Sequence, residues 1–237
     1  MTDVFGQALK GYLKGDLSQY VIRGKDGNDE KINIDTFFTS YFDWEDYEKT
    51  LIANHAEGRI LDIGAGAGRH SLFLQDRGFD VHAIDNSPQA VRLMEIRGLK
   101  KVYLMDLRKI NFPPEYFDTA LIMFNDLGLA GTIKNTVKLL KKLFTMTKPT
   151  GKVIVTLRNP LAGNSSSELM EKIKIRMEYN DAIGNWFNSI MVSPDELKNL
   201  IRDTGWFVTD IIEGKDGFYG AVLKKSLGLI RLKVNVL

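Results

Sequence analysis

The sequence predicts an α/β fold with a doubly wound sheet, on two main observations. The apolar run at residues 60–63 leads into three glycines on alternate positions and then into a helical pattern at 69–75. Two further apolar runs, at 81–84 and 102–105, are each followed directly by an aspartate. A strand, a glycine turn and a helix in this order hold a nucleotide-like ligand against a helix N-terminus. We therefore expect buried strands whose carboxyl ends form a ligand site.

The first 50 residues predict a cap that precedes this core. Apolar side chains recur with helical spacing between positions 4 and 13. The runs at 19–23 and 31–34 flank a turn, which predicts a small hairpin. Six aromatic residues then fall within positions 37–47; they form either a packing helix or a lid that excludes water from a reaction site. Tyr41 and Trp44 keep polar groups and are the candidates for lining a substrate pocket.

The spacing of the glycines discriminates between two kinds of ligand loop. A dinucleotide loop requires Gly-x-Gly-x-x-Gly, and its third glycine would fall at Arg69 or Ser71, so that pattern fails. The pattern Asp-x-Gly-x-Gly-x-Gly is matched in full by Asp62, Gly64, Gly66 and Gly68. It resembles motif I of the class I S-adenosylmethionine-dependent methyltransferases. The resemblance covers about residues 37–224 and includes a strand with a leading Phe-Asp at 117–122.

This resemblance implies a Rossmann-like, seven-stranded mixed sheet with an antiparallel last strand, and S-adenosylmethionine as the cofactor with S-adenosylhomocysteine as the product. Asp62 would bind the methionyl ammonium directly or through water, and Asp85 would accept the ribose hydroxyls. Asp106 would accept from the adenine amino group, next to the backbone N–H of Leu107. The cofactor-binding residues expected in this way are Asp62, Gly64, Ala65, Gly66, Gly68, Asp85, Asn86, Asp106, Leu107 and Phe124.

The expected methyltransferase domain spans residues 51–225 and carries an insertion at 159–193. Apolar and charged residues alternate over 173–179, and a second strand is expected from Trp186 to Val192. We interpret them as a two-stranded flap over the carboxyl end of the sheet; the alternative is a stabilising insertion that faces away from the site. Residues 226–237 also show a strand pattern, which predicts an added edge strand or pairing with another subunit.

The candidate catalytic residues are Asn125, Arg158 and His70. Asn125 follows the fourth strand of the core and could orient a hydroxyl or carbonyl group, while Arg158 could pair with a carboxylate or phosphate or lie in solvent. His70 lies close to the glycine loop, where local hydrogen bonding competes with a role as general base. The expected substrate-binding residues are Tyr41, Trp44, Asn125, Arg158 and Trp186. No histidine spacing resembles a metal site, so no metal is expected.

The composition is that of an ordinary enzyme. The net charge is only +2, which argues against a surface that tracks nucleic-acid phosphates. The chain has no cysteine, its N-terminus lacks a signal-like pattern, and no apolar run approaches membrane-spanning length. We expect a cytoplasmic monomer or homodimer with a small-molecule acceptor and with neither a nucleic-acid nor a membrane partner.

The resemblance implies methyl transfer to a small molecule by in-line displacement. Two alternatives use the same site: aminopropyl transfer from decarboxylated adenosylmethionine, and cofactor binding without catalysis. A nucleotide-dependent oxidoreductase is disfavoured by the failed glycine spacing. The sequence leaves open the acceptor and the kind of atom that is methylated.

Overall fold

A computed structural model describes residues 2–162 and 170–226 of the chain. Its helices are α1 (Val4–Tyr12), α2 (Asp46–His55), α3 (Arg69–Asp76), α4 (Pro88–Ile96), α5 (Ile133–Met146) and α6 (Pro194–Ile201). Its strands are β1 (Tyr20–Gly24), β2 (Glu30–Ile32), β3 (Arg59–Ile63), β4 (Asp80–Asp85), β5 (Val102–Leu104), β6 (Phe117–Ile122), β7 (Thr147–Arg158), β8 (Met170–Tyr179), β9 (Ala182–Ile183), β10 (Phe187–Val192), β11 (Trp206–Glu213) and β12 (Phe218–Lys225). The strand expected within 226–237 falls almost wholly outside the described residues.

Seven of these strands form the main sheet in the order β11-β12-β7-β6-β3-β4-β5. The pairs β3–β4, β3–β6, β4–β5 and β6–β7 are parallel, whereas β12 is antiparallel to both β7 and β11. This confirms the seven-stranded mixed sheet with an antiparallel last strand. The strand order reverses at β3, which has β4 on one side and β6 on the other. Ligands bind at the carboxyl ends of strands at such a switch point, which here is the glycine loop after β3.

The helices of the core begin where the sequence supplies capping side chains. Ser87 precedes α4 and accepts from the backbone N–H of Ala90 at 3.0 Å. Ser193 caps α6 in the same way through Glu196, at 3.2 Å. These hydroxyls satisfy N–H groups that have no partner within the helix. The cap before α4 also fixes the chain directly after Asp85, at the edge of the predicted ligand site.

A second, antiparallel sheet has the order β10-β8-β1-β2, with β9 paired to β8. Residues 21–24 of the N-terminal hairpin pair with residues 175–178 of the inserted segment. The cap and the flap, which the sequence suggests as separate units, are therefore parts of one sheet. We call this sheet the lid sheet. Helix α1 packs against its strand β8 and against α4, and buries Val4, Ala8 and Leu9.

The aromatic segment at 37–47 is not one continuous helix, but Trp44 and Tyr47 are buried in the core, so the packing role holds for these two residues. Two short 3-10 turns, Ile34–Phe37 and Tyr41–Asp43, precede α2. The Thr39 hydroxyl donates to the Thr36 carbonyl at 3.0 Å, and the Ser40 hydroxyl donates to Asp43 at 2.7 Å. Such local bonds give the backbone an alternative to helical hydrogen bonds.

Within the residues that the structure describes, no helix is long and apolar enough to cross a membrane. The same residues contain no group of three or more His, Cys, Asp or Glu side chains arranged to hold a metal ion.

Candidate functional site

The loop between β3 and α3 depends on glycine. Gly64, Gly66 and Gly68 have φ values of +74°, +58° and +81°, a left-handed region that glycine adopts without a steric penalty. A Cβ added at Gly64 would lie only 2.0 Å from Oδ2 of Asp126, and one at Gly66 would lie 3.4 Å from the Phe5 ring. The loop therefore makes a sharp turn, in which Gly64 is exposed and Gly66 and Gly68 are buried.

The end of β4 anchors this loop. The backbone N–H groups of Gly64 and Ala65 both donate to the Ile84 carbonyl, at 2.9 and 3.1 Å. The next residue, Asp85, accepts from Gly66 N at 2.9 Å and from Ser87 N at 2.8 Å. Burial raises the pKa of Asp85 to about 6, despite these two backbone hydrogen bonds. The carboxylate is thus fixed beside the loop, where it can accept from a pair of hydroxyls.

The two other expected cofactor acids have different surroundings. Asp62 is buried and accepts from the Ser71 hydroxyl at 2.6 Å, and burial raises its pKa. Asp106 accepts from the backbone N and the side-chain Nε of Arg108, at 2.8 and 2.9 Å, and the Arg108 side chain lowers its pKa. Leu107 begins a 3-10 turn, and Asn86 is exposed next to Asp85. Their contacts with a cofactor remain predictions.

The turn after β6 is held in an unusual backbone conformation. Phe124 and Asn125 have φ values of +53° and +63°, which are uncommon for residues other than glycine. Phe124 N donates to the Thr156 hydroxyl at 2.6 Å. The Asn125 side chain accepts from Arg158 N and donates to the Ile190 carbonyl, both at 3.3 Å. The polar atoms of Asn125 therefore join β7 and the lid sheet to this turn; contact with a substrate remains a prediction.

Asp126, at the end of the same turn, was not among the residues expected to bind the cofactor. Its Oδ2 is directed at Gly64, and burial together with Asp85 and Asp62 raises its pKa well above the usual value. Three carboxylates, from β3, β4 and the turn after β6, thus converge around the glycine loop. The sequence signal was an acid close behind the fourth strand of the core, but its orientation depends on the backbone turn.

A buried group of charged side chains lies beside this turn. Arg69 Nη2 is 2.7 Å from Glu48 Oε2, and His70 Nε2 is 3.6 Å from Glu48 Oε1. Burial acts to raise the pKa of Glu48, but His70 and Arg69 outweigh it and lower the pKa. The His70 ring meets the Trp44 ring edge-on at 4.6 Å. No sequence motif indicates Glu48 as a residue of the site.

Aromatic rings form a continuous wall along the site. The ring centroids of Phe5 and Phe37 are 5.0 Å apart, those of Phe37 and Phe124 are 5.8 Å apart, and those of Phe124 and His70 are 5.9 Å apart. Trp44 extends this wall beyond His70, and only 3% of its surface is exposed. The wall gives the loop an apolar surround that limits access of water.

Three expected substrate residues lie farther along this surface. Tyr41 stacks on Phe73 of α3 with ring centroids 4.4 Å apart. Arg158 forms an ion pair with Glu30 of β2, and Trp186 lies under the Arg176 guanidinium at 4.7 Å. Each of these side chains therefore has a packing or pairing partner in the protein. Their contact with a substrate remains a prediction.

The N-terminal segment covers the loop, which the sequence did not reveal. Phe5 lies against Gly66, and Asp3 accepts from the Ser87 hydroxyl at 2.8 Å. Tyr20 is buried behind Phe5; burial, followed by the charges of nearby acids including Asp126, raises its pKa. Helix α1 is thus attached to the start of α4, directly above the ligand loop.

Comparison with known proteins shows which family has this loop and fold. A family model described as a methyltransferase domain matches residues 60–151. The crystal structure of an S-adenosylmethionine-dependent methyltransferase from Bacteroides fragilis, in complex with S-adenosylhomocysteine, has a TM-score of 0.84 and 29% identity over 95% of each chain. The chain contains a methyltransferase domain and has the class I fold of S-adenosylmethionine-dependent methyltransferases. The family and the cofactor predicted from the glycine motif are confirmed.

Curated relatives match a smaller part of the chain. The Bacillus subtilis (strain 168) protein YqeM is 27% identical over 117 residues, 47% of each chain. The phosphoethanolamine N-methyltransferase of Plasmodium falciparum (isolate 3D7) is 31% identical over 103 residues, which are 41% of this chain and 38% of the relative. The matched region thus spans less than half the length of these two relatives.

Proposed function

We propose that this protein transfers a methyl group from S-adenosylmethionine to a small-molecule acceptor. The observation that carries the proposal is the attachment of Asp85 to the N–H groups of Gly66 and Ser87, beside a loop whose three glycines have positive φ values. This arrangement fits the cofactor because the carboxylate can accept ribose hydroxyls while the exposed Gly64 admits close approach of a ligand. When bound, the cofactor supplies an electrophilic methyl group.

The protein's own contribution to such a reaction is to exclude water and fix orientation. The aromatic wall from Phe5 to Trp44 provides an apolar side to the site. The lid sheet is attached to the turn after β6 by Asn125 and to β7 by the pair of Arg158 and Glu30. We propose that the acceptor lies between this turn and the lid sheet, since acceptor specificity in this fold must come from elements added to the cofactor-binding core.

The acceptor class is also a proposal. The net charge of +2 supports a small molecule over nucleic acid. One relative is named as a phosphoethanolamine N-methyltransferase, which makes amines the first class to test. The absence of cysteine from the sequence is consistent with the proposed cytoplasmic location.

The test is transfer of an isotope-labelled methyl group from S-adenosylmethionine to a panel of amines, alcohols and carboxylates. We expect labelled product from at least one class with the wild-type protein and none with Asp85→Ala. A protein that binds S-adenosylhomocysteine but labels no member of the panel would favour the alternative of cofactor binding without catalysis. The product also identifies the kind of atom that is methylated.

A further inference from the structure

A cavity of about 370 Å³ lies where the lid sheet meets the beginning of α5. Three lysines line it: Lys134 from the first turn of α5, and Lys172 and Lys174 from β8. Within the part of the chain that the structure describes, no acidic residue lines this cavity. The cavity therefore collects positive charge from two elements that are distant in the sequence.

The strand register shows that the two lysines of β8 face the main domain. Lys172 is opposite Ile190, and Lys174 is opposite Asn188, in the antiparallel pair of β8 and β10. Residues that are opposite each other in such a pair lie on the same face of the sheet. Ile190 is buried in the core of the main domain, so this face of the lid sheet is turned towards that domain rather than away from it.

The three ammonium groups have no anionic partner within residues 2–162 and 170–226. Elsewhere in the protein, lysines do find such partners: Lys148 Nζ is 2.7 Å from Asp118 Oδ1, and Lys152 Nζ is 2.8 Å from Glu57 Oε1. Like charges gathered around one cavity repel each other. An anionic group bound among the three lysines would remove this repulsion and supply a partner for each of them.

The cavity is adjacent to the proposed position of the acceptor. The Asn125 side chain, in the turn after β6, donates to the Ile190 carbonyl at 3.3 Å. Asn188 lines the cavity two residues away on β10, and its carbonyl would lie 3.0 Å from a Cβ added at Gly131. Two residues of a strand span about 7 Å. A small molecule can therefore reach from the cavity to the turn after β6.

We propose that this cavity binds an anionic group of the methyl acceptor, an inference that rests on the proposed function. Phosphate monoesters and carboxylates share this chemistry, and the experiment distinguishes them. The acceptor places its anionic group among the lysines and its nucleophile about 7 Å away, beside the turn after β6. Lys134, Lys172 and Lys174 are then specificity residues, which select acceptors that carry a negative charge and take no part in methyl transfer itself.

The experiment is an NMR titration of the protein saturated with S-adenosylhomocysteine, followed through the amide signals of Gly131 and Asn188. The first two probes are 3-aminopropyl phosphate and 4-aminobutanoate, which join an amine to a phosphate or to a carboxylate by a short chain. The third is 3-aminopropan-1-ol, which lacks the anionic group. Inorganic phosphate alone is the fourth.

The test variant is Lys134→Gln/Lys172→Gln/Lys174→Gln, together with its three single substitutions. The control is Lys14→Gln/Lys100→Gln/Lys141→Gln, which removes three exposed lysines that do not line the cavity. Unfolding temperatures are measured first. Because all of these lysines are exposed, we expect every variant to fold.

The affinity for the preferred anionic probe should fall about 2- to 5-fold for each single substitution and about 10- to 100-fold for the triple variant, because exposed cations each contribute little. The control variant and the affinity for 3-aminopropan-1-ol should show no change. Tighter binding of 3-aminopropyl phosphate indicates a phosphate monoester as the acceptor, and tighter binding of 4-aminobutanoate indicates a carboxylate.

Undiminished binding of the anionic probes in the triple variant, or no binding of them to the wild type, would overturn the proposal. Binding of inorganic phosphate, with neither aminoalkyl anion bound more tightly, would also overturn it, because the cavity would then hold a free anion and not part of an acceptor. A wild-type protein that does not bind S-adenosylhomocysteine would instead overturn the proposed function, so the two failures are distinguishable.

Discussion

The buried pair of Glu48 and Arg69 allows a quantitative prediction about what stabilises the site. Their side chains are only 3% and 5% exposed, and the charged atoms are 2.7 Å apart. Glu48→Leu would leave the Arg69 guanidinium buried with the Thr36 carbonyl as its remaining hydrogen-bond partner, at 3.1 Å. Removing one member of a buried pair costs about 3–5 kcal/mol, because the other charge is left uncompensated. For a chain of this size we expect the unfolding temperature to fall by about 6–20 °C.

The assay is a double-mutant cycle by urea unfolding, monitored through tryptophan fluorescence. The double variant Glu48→Leu/Arg69→Met replaces both charges by apolar groups and should be more stable than either single variant. The exposed pair of Asp195 and Lys198, with charged atoms 3.1 Å apart, serves as the control and should show a coupling close to zero. If the effects of the two buried substitutions simply add, the pair does not stabilise the site in the way described.

Three further predictions concern the loop, the pH dependence and the lid sheet. Gly64→Ala should destabilise the protein more than Gly78→Ala. Both glycines have positive φ values, but an added Cβ would lie 2.0 Å from Asp126 Oδ2 at Gly64 and would have no atom within 4 Å at Gly78. Equal thermal unfolding temperatures would contradict the close contact between Asp126 and Gly64. Affinity for S-adenosylhomocysteine should rise as the pH is raised through about 6, the pKa of Asp85, because only the ionised carboxylate accepts both ribose hydroxyls; below that pH the affinity should change by up to about tenfold per pH unit. Titrations at several pH values should show this dependence in the wild type and not in Asp85→Asn. A flat wild-type profile would refute the prediction. Arg158→Gln and Glu30→Gln should lower the unfolding temperature equally, and the double variant should show no further loss, because each substitution removes the same ion pair. Additive losses would show that the two side chains do not stabilise the protein through their ion pair.

The sequence was sufficient for features that depend on neighbouring residues. The strand before Gly64, the three glycines and the aspartate after the next strand lie in short segments, so spacing alone predicted the loop and its ligand class. The seven-stranded sheet followed from the family resemblance. Ser87 and Ser193 could be predicted as caps because capping involves residues three positions apart.

Features that depend on distant contacts could not be predicted. The alternation at 173–179 indicated a strand, but not that it pairs with residues 21–24 near the N-terminus. The segment at 37–47 is rich in aromatics, yet side-chain hydrogen bonds of Thr39 and Ser40 favour turns over a helix. The orientation of Asp126 requires positive φ at two non-glycine residues, for which the sequence has no clear signal.

The measurement that tests the central claim most directly is calorimetric titration with S-adenosylhomocysteine, with NADH and ATP as controls. We expect micromolar binding of S-adenosylhomocysteine only, with a loss of more than about tenfold in Asp85→Ala and none in the exposed-acid control Asp203→Ala. Circular dichroism would establish that both variants are folded. Absence of S-adenosylhomocysteine binding, equal binding of NADH, or undiminished affinity in Asp85→Ala would contradict the assignment of the cofactor site to Asp85 and the glycine loop.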